Sequence, residues 1–236
     1  MNRFQAMSRP QARSLDSVNA FMRGVYNWMA AGLGLTALAA FATASSPDMI
    51  QLLYSGSILS WVIIFAPFVL VMILSAGINS MSATTATITF MSYSALMGVS
   101  LSSVLLMYTG ESVFTTFVIC ATMFGGMSIY GTTTKRDLTS WGSFLFMGLI
   151  GILIASVVNI FLANSVMHWV ISVIGVVLFT GLTAYDTQRL RDMGESAPYG
   201  DATVLRRGTI LGALTLYLDF INLFLMLLRL FGSSRD

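Results

Sequence analysis

The sequence predicts an all-α integral membrane protein of about seven transmembrane helices. Three observations carry that expectation. The charge content is too low for a soluble surface, the apolar runs are long enough to cross a bilayer, and the basic residues fall almost wholly on alternate connections. Of the 236 residues, 56% are hydrophobic and 9% charged, whereas soluble domains carry about 25% charged residues. A soluble fold of this size could not cover its surface with so few charges; a bilayer removes that requirement. At ~20 apolar residues per span, seven spans and short loops use up the length. The formal net charge of +2 gives no support to a nucleic-acid partner.

In chain order, the first run is Tyr26 to Ala44, closed by the Ser45-Ser46-Pro47-Asp48 break. Ala42-Thr43-Ala44 imitates a signal-peptidase site, but the apolar run is longer than a typical h-region and a polar stretch precedes it. The second run, Ile58 to Gly77, holds no charge. The third, Thr85 to Tyr108, is parted from the fourth, Val113 to Tyr130, by Thr109-Gly110-Glu111. Trp141 to Ala163 is the fifth and His168 to Tyr185 the sixth. The polar stretch from Thr187 to Arg207 leads to the seventh, Thr209 to Phe231. Tyr, Trp and Phe near many ends suit interfacial anchors. The chain therefore divides into a polar N-terminal segment, residues 1–24, and a transmembrane domain, residues 25–236. Met1 to Arg23 is expected to be disordered.

The basic residues set the orientation. Arg3, Arg9, Arg13 and Arg23 precede the first span; Lys135 and Arg136 follow the fourth; Arg189, Arg191, Arg206 and Arg207 follow the sixth. Only Arg229 and Arg235 fall opposite, and Arg229 sits where it can snorkel from the last turn. The positive-inside rule then places the N-terminus in the cytoplasm and the C-terminus outside.

Cys120, the one cysteine, excludes an internal disulfide framework and reads as a small core residue. His168, the one histidine, reads as an interfacial residue. Two aspartates stand out. Asp186 ends the run of span six, and Asp219 lies within span seven, where a charge costs about 2.5–3.5 kcal/mol on insertion scales. Gly208, Gly212, Thr215, Asp219 and Asn222 recur at helical spacing and share a face. Gly208 and Gly212 form a small-xxx-small pair suited to helix packing. Ser172, Gly175, Thr183 and Asp186 fall roughly on one side of span six.

Two facing carboxylates in low dielectric do not easily both ionise, so they would titrate as a unit. Such a pair can hold a proton or a transient cation. A tight calcium site takes 6–8 oxygen ligands, so no tightly bound metal or other cofactor is expected. Asn222 and Thr215, with carbonyls and water, would line a weak cation site. The alternative is structural: Asp186 pairs with Arg189, and Asp219 is a protonated acid bonded to Asn222 or Thr215. Depth also matters, because Asp219 lies ~15 Å into its span while Asp186 stands close to the cytoplasmic end of its own.

The strings FTGLTAYDTQRL (Phe179 to Leu190), LGALTLYLDFINLFLMLLRLFG (Leu211 to Gly232) and MFGGMSIYGTTTKRDL (Met123 to Leu138) resemble the signature of the Bax inhibitor-1 family, in its bacterial YbhL/YccA-like branch. The resemblance runs along nearly the whole chain. It implies helix 7 at the centre of two helix triplets, in a bacterial inner membrane. It also implies a pH-sensitive calcium leak controlled by an aspartate pair, at Asp186 and Asp219. Calcium-leak relatives further use an arginine and an acidic residue on helix 2; Ile58 to Gly77 departs from that. The function expected is a passive cation (calcium) leak. The alternative, implied by YccA-like relatives, is a regulatory protein modulating a membrane-bound ATP-dependent protease, with Met1 to Arg23 as its handle. An enzyme is not expected: His168 lies at a membrane edge, outside any GxSxG setting.

Overall fold

The computed structural model describes residues 8–196 and 202–235. Among them, eight helices follow in order: α1 (Ser8–Ala44), α2 (Pro47–Tyr54), α3 (Ile58–Gly77), α4 (Ala83–Met107), α5 (Gly110–Thr133), α6 (Thr139–Leu162), α7 (Ser165–Ser196) and α8 (Ala202–Phe231). All but α2 are long and apolar enough to cross a membrane. The chain is thus an all-α, multi-pass membrane protein, and the second span has the ends its sequence predicts.

Three stretches of the chain differ most from the sequence reading. The polar N-terminal segment is helical from Ser8, so its expected disorder is corrected for residues 8–23; residues 1–7 lie outside the described residues. The reason is visible in the pattern: Val18, Phe21, Met22, Val25 and Met29 recur at helical spacing and are buried. Next, the break after span one holds a short helix, α2, which opens on Pro47 after an extended Ser46. Gly56, at φ +67°, then turns the chain into α3. Finally, α8 begins at Ala202, ahead of the expected Thr209, and α7 runs on to Ser196. Its extra turns are polar, with Arg191 bonded to Asp192 at 2.7 Å and near Glu195 at 3.8 Å.

Of the spans, α8 is the most enclosed: 67% of its most apolar stretch is buried, against 11% for α6. Buried Leu, Ile, Tyr and Phe cover most of its circumference. A helix apolar all round with this burial is a core helix. Arg229 lies in its last turn and is exposed.

Two compact units divide the chain: Met1–Ser100 with Leu190–Thr215, and Leu101–Arg189 with Leu216–Asp236. In the first, α1 and α4 approach closely. The Thr36 carbonyl occupies the space where Gly98 lacks a side chain, and Thr36 Oγ1 lies 2.8 Å from the Ser94 carbonyl. Arg207 Nη1 donates to the Asn79 carbonyl at 2.9 Å, and Arg206 stands over the Trp28 ring at 5.8 Å. In the second unit, the tail after α8 is bonded to the turn between α4 and α5. Thr109 N–H donates to the Ser233 carbonyl at 3.1 Å and Arg235 N–H to the Met107 carbonyl at 2.9 Å.

Candidate functional site

In the second unit, α7 and α8 each bring one carboxyl into the packed interior. On α7, Ser172, Gly175, Thr183 and Asp186 are buried, as their shared side predicts. Gly175 lies against Met226 of α8, where a Cβ would stand 2.8 Å from the side chain. The hydroxyls nearby do not reach outward. Ser172, Thr180 and Thr183 each donate to the carbonyl four residues earlier, at 2.9, 2.6 and 2.8 Å, as such residues do in apolar helices.

Asp186 and Asp219 are 9% and 5% exposed, and their carboxyls lie within hydrogen-bonding reach of each other. Asp219 Oδ2 is fully buried and meets no donor among the described residues. Two carboxylate oxygens offer each other only lone pairs, so the contact needs a proton between them to become a hydrogen bond. α7 continues for nearly three turns beyond Asp186. Asp186 is therefore an interior residue of its helix, not the terminal one that the sequence reading made it.

The structural alternatives fare differently. Arg189 is exposed and acts on Asp186 only through its field. Among the described residues no ion pair joins the two, while Arg191 takes the ion pairs of this helix end. Asn222 Nδ2 donates to the Leu218 carbonyl at 2.8 Å and Thr215 Oγ1 to the Leu211 carbonyl at 3.1 Å. Neither donates to Asp219. Each keeps oxygen lone pairs, and both are half-buried.

The glycine pair on α8 packs less closely than its spacing suggests. A Cβ on Gly212 would meet the side chains of Leu190 and Val25 at 2.9 and 3.0 Å, and one on Gly208 would find only Phe21 at 3.6 Å. Side chains, not a backbone, fill these positions. The close backbone approach in the second unit is at Gly131 of α5, which has no room for a Cβ against the Ala184 carbonyl.

Sequence reasoning gave no role to Gly131, Ser128 or Gln188. Gln188 fell in a stretch read as a connection, yet it is buried and spends its whole amide on the α5–α6 turn. Its Oε1 accepts from Leu138 N–H and its Nε2 donates to the Arg136 carbonyl, both at 2.8 Å. In the same turn, the Asp137 carboxylate accepts from Thr139 N–H at 2.8 Å, and its bonds with Thr139 hold it below the usual range. An amide placed between two charged motifs was the available signal for Gln188. His168 is exposed, and Cys120 is buried with Sγ 3.6 Å from the Phe220 carbonyl. No group of three His, Cys, Asp or Glu side chains that could hold a metal occurs among the described residues.

The family model described as "Inhibitor of apoptosis-promoting Bax1" matches residues 18–236. Inner membrane protein YbhL of Escherichia coli K12 is 51% identical over 218 residues, covering 92% of this chain and 93% of its own. A Caulobacter vibrioides protein is 44% identical across 100% of this chain and 98% of its own. YrjE of Lactococcus lactis is 38% identical, with 93% of each chain covered. With the matched region holding every span and both aspartates, the chain belongs to the Bax inhibitor-1 family.

Proposed function

We propose that this protein is a passive, proton-gated cation leak of a bacterial inner membrane, with calcium as the ion and Asp186 and Asp219 as the gate. The inner-membrane placement follows the name of the Escherichia coli relative. The observation that carries the reading is the pair of buried, interacting carboxyls, which as two carboxylates have no donor between them and can hydrogen-bond only by sharing a proton. Gain or loss of that proton changes the pair's charge by one in a low-dielectric interior, where such a change is felt most strongly. Asn222 and Thr215 supply neutral oxygens on the same helix for a transient ion, without the ligand number that would trap calcium.

Calcium flux into liposomes holding only this protein, measured across pH, tests the proposal. Flux should vary with pH in the parent. Asp186→Asn or Asp219→Asn should flatten or shift that profile, and the double substitution should resemble a single one, because the pair acts as a unit. A double-mutant cycle with coupling near zero would falsify the gate. Absence of flux at every pH would remove the leak itself.

A further inference from the structure

Phe117, Cys120, Phe124, Ser128 and Gly131 recur on α5 at steps of three, four, four and three residues, so they lie along one face. One end of this face grips α8 at the residue after Asp219. The Phe220 ring meets Phe117 and Phe124 edge-on, with centroids 5.6 and 5.5 Å away, and Cys120 Sγ–H donates weakly to the Phe220 carbonyl at 3.6 Å. The other end grips α7 on both sides of Asp186. Gly131 admits the Ala184 carbonyl, and Thr187 Oγ1 stands 3.5 Å from Ser128 Oγ. Gln188 then ties α7 to the turn that follows α5, through both of its amide groups.

We propose that this face of α5 is the template that sets the separation of the two carboxyls, with Gly131 and Gln188 as positioning residues for Asp186 and Phe124 as the positioning residue for Asp219. The proposal rests on the reading of the pair as a gate and adds what holds the gate in register. One stiff helix touches the immediate neighbours of both aspartates, so any slide of α7 along α5 moves one carboxyl relative to the other. A hydrogen bond between oxygens weakens steeply beyond about 3 Å; a displacement of roughly one ångström therefore uncouples the pair. Arg189 of α7 acts on Asp186 through its charge; Tyr185 precedes Asp186 on α7, Tyr217 lies two residues before Asp219 on α8, and α5 carries Cys120 and Tyr130. α6 carries none.

The test places Asp186→Asn, Asp219→Asn and their double in four backgrounds: parent, Gly131→Ala, Gln188→Met and Gly126→Ala. Gly126 lies on the same helix with nothing within 4 Å of an added Cβ, so it controls for the change of residue type alone. Calcium flux across pH and thermal unfolding of the purified full chain are both read. In the parent and in Gly126→Ala, the two Asn substitutions should be coupled, by about tenfold in flux. In Gly131→Ala and Gln188→Met the coupling should fall to within about twofold of none, and the flux midpoint should move by about one pH unit. Gln188→Glu keeps the acceptor for Leu138 N–H and should restore part of the coupling.

A merely structural role would lower the unfolding temperature while leaving the coupling and midpoint intact, and that result overturns the proposal. If Gly131→Ala does not fold, the two Gln188 variants carry the test. Coupling seen in unfolding but lost in these backgrounds, with no flux from the parent, would uphold the template while removing the leak. Flux coupling that survives all of them would do the reverse.

Discussion

Asp219 is costly where it stands, since an ionised carboxylate deep in a span costs about 2.5–3.5 kcal/mol on insertion scales. The polar neighbours on its own helix do not relieve it: Thr215 and Asn222 both donate backwards, to the carbonyls of Leu211 and Leu218. What meets it is the second carboxyl, Asp186. Asn222 is therefore no partner to the acid, and under the proposed function its oxygen lines the ion's path. Asn222→Ala should lower calcium flux by about threefold to tenfold, while the pH midpoint stays in place because an amide does not titrate. Flux measured over a calcium series at several pH values checks this; a midpoint that follows Asn222 would show that the amide does reach the pair. The aspartates were legible in the sequence because an intramembrane carboxylate is rare enough to announce itself. Gly131, Ser128 and Gln188 were not. Glycine and serine are the usual packing residues of membrane helices, and Gln188 and Gly131 meet backbone groups, at Arg136, Leu138 and Ala184, which no side-chain pattern records.

Helices of this chain are specified twice, once by apolar length and once by where small residues let backbones meet. Length was readable: each apolar run became one span. The ends were not, because α1, α7 and α8 extend into polar sequence, where helical pairs and one buried face still give support. Residues such as Arg191 and Glu195 resemble a loop in composition, yet they are one turn apart on a helix. Contact between helices gives a sharper prediction. Gly98 of α4 has no room for a Cβ against the Thr36 carbonyl, whereas an added Cβ on Gly34 of α1 finds nothing within 4 Å. Gly98→Ala should destabilise the fold by about 1–3 kcal/mol, since backbone cannot rotate aside as a side chain can. Gly34→Ala should be neutral or slightly stabilising, by up to about 1 kcal/mol, through helix propensity. Thermal unfolding in detergent at a fixed pH compares them. Equal losses would mean that the approach of α1 to α4 does not matter to stability.

Taken together, the number of spans decides on which sides of the membrane the two ends of the chain lie. Arg207, in the second turn of α8, bonds to the carbonyl of Asn79, in the turn before α4. The tail that leaves α8 bonds to the turn after α4, at Met107 and Thr109. Counted as seven spans by length and composition, the chain is expected to have its two ends on opposite sides. Which side is which follows from charge: ten of the twelve basic residues fall on the N-terminal side of that division, and in short loops such an excess faces the cytoplasm. Arg229, exposed in the last turn of α8, is the one basic residue whose side depends on snorkelling. The expected outcome is a cytoplasmic N-terminus and a C-terminus on the far side. Single cysteines at Lys135 and at Asn164, in a chain whose Cys120 is replaced by Ala, provide the measurement with a membrane-impermeant thiol reagent. Cys120 is buried and is the only native thiol, so the background is clean. Asn164, in the turn between α6 and α7, should react from outside, and Lys135, in the turn between α5 and α6, only after the membrane is breached. Reporter fusions at Asn2 and after Asp236 should then report opposite compartments. Both ends reporting the same compartment would remove a span, and the reverse labelling pattern would invert the protein and place Asp186 and Arg189 toward the outer face.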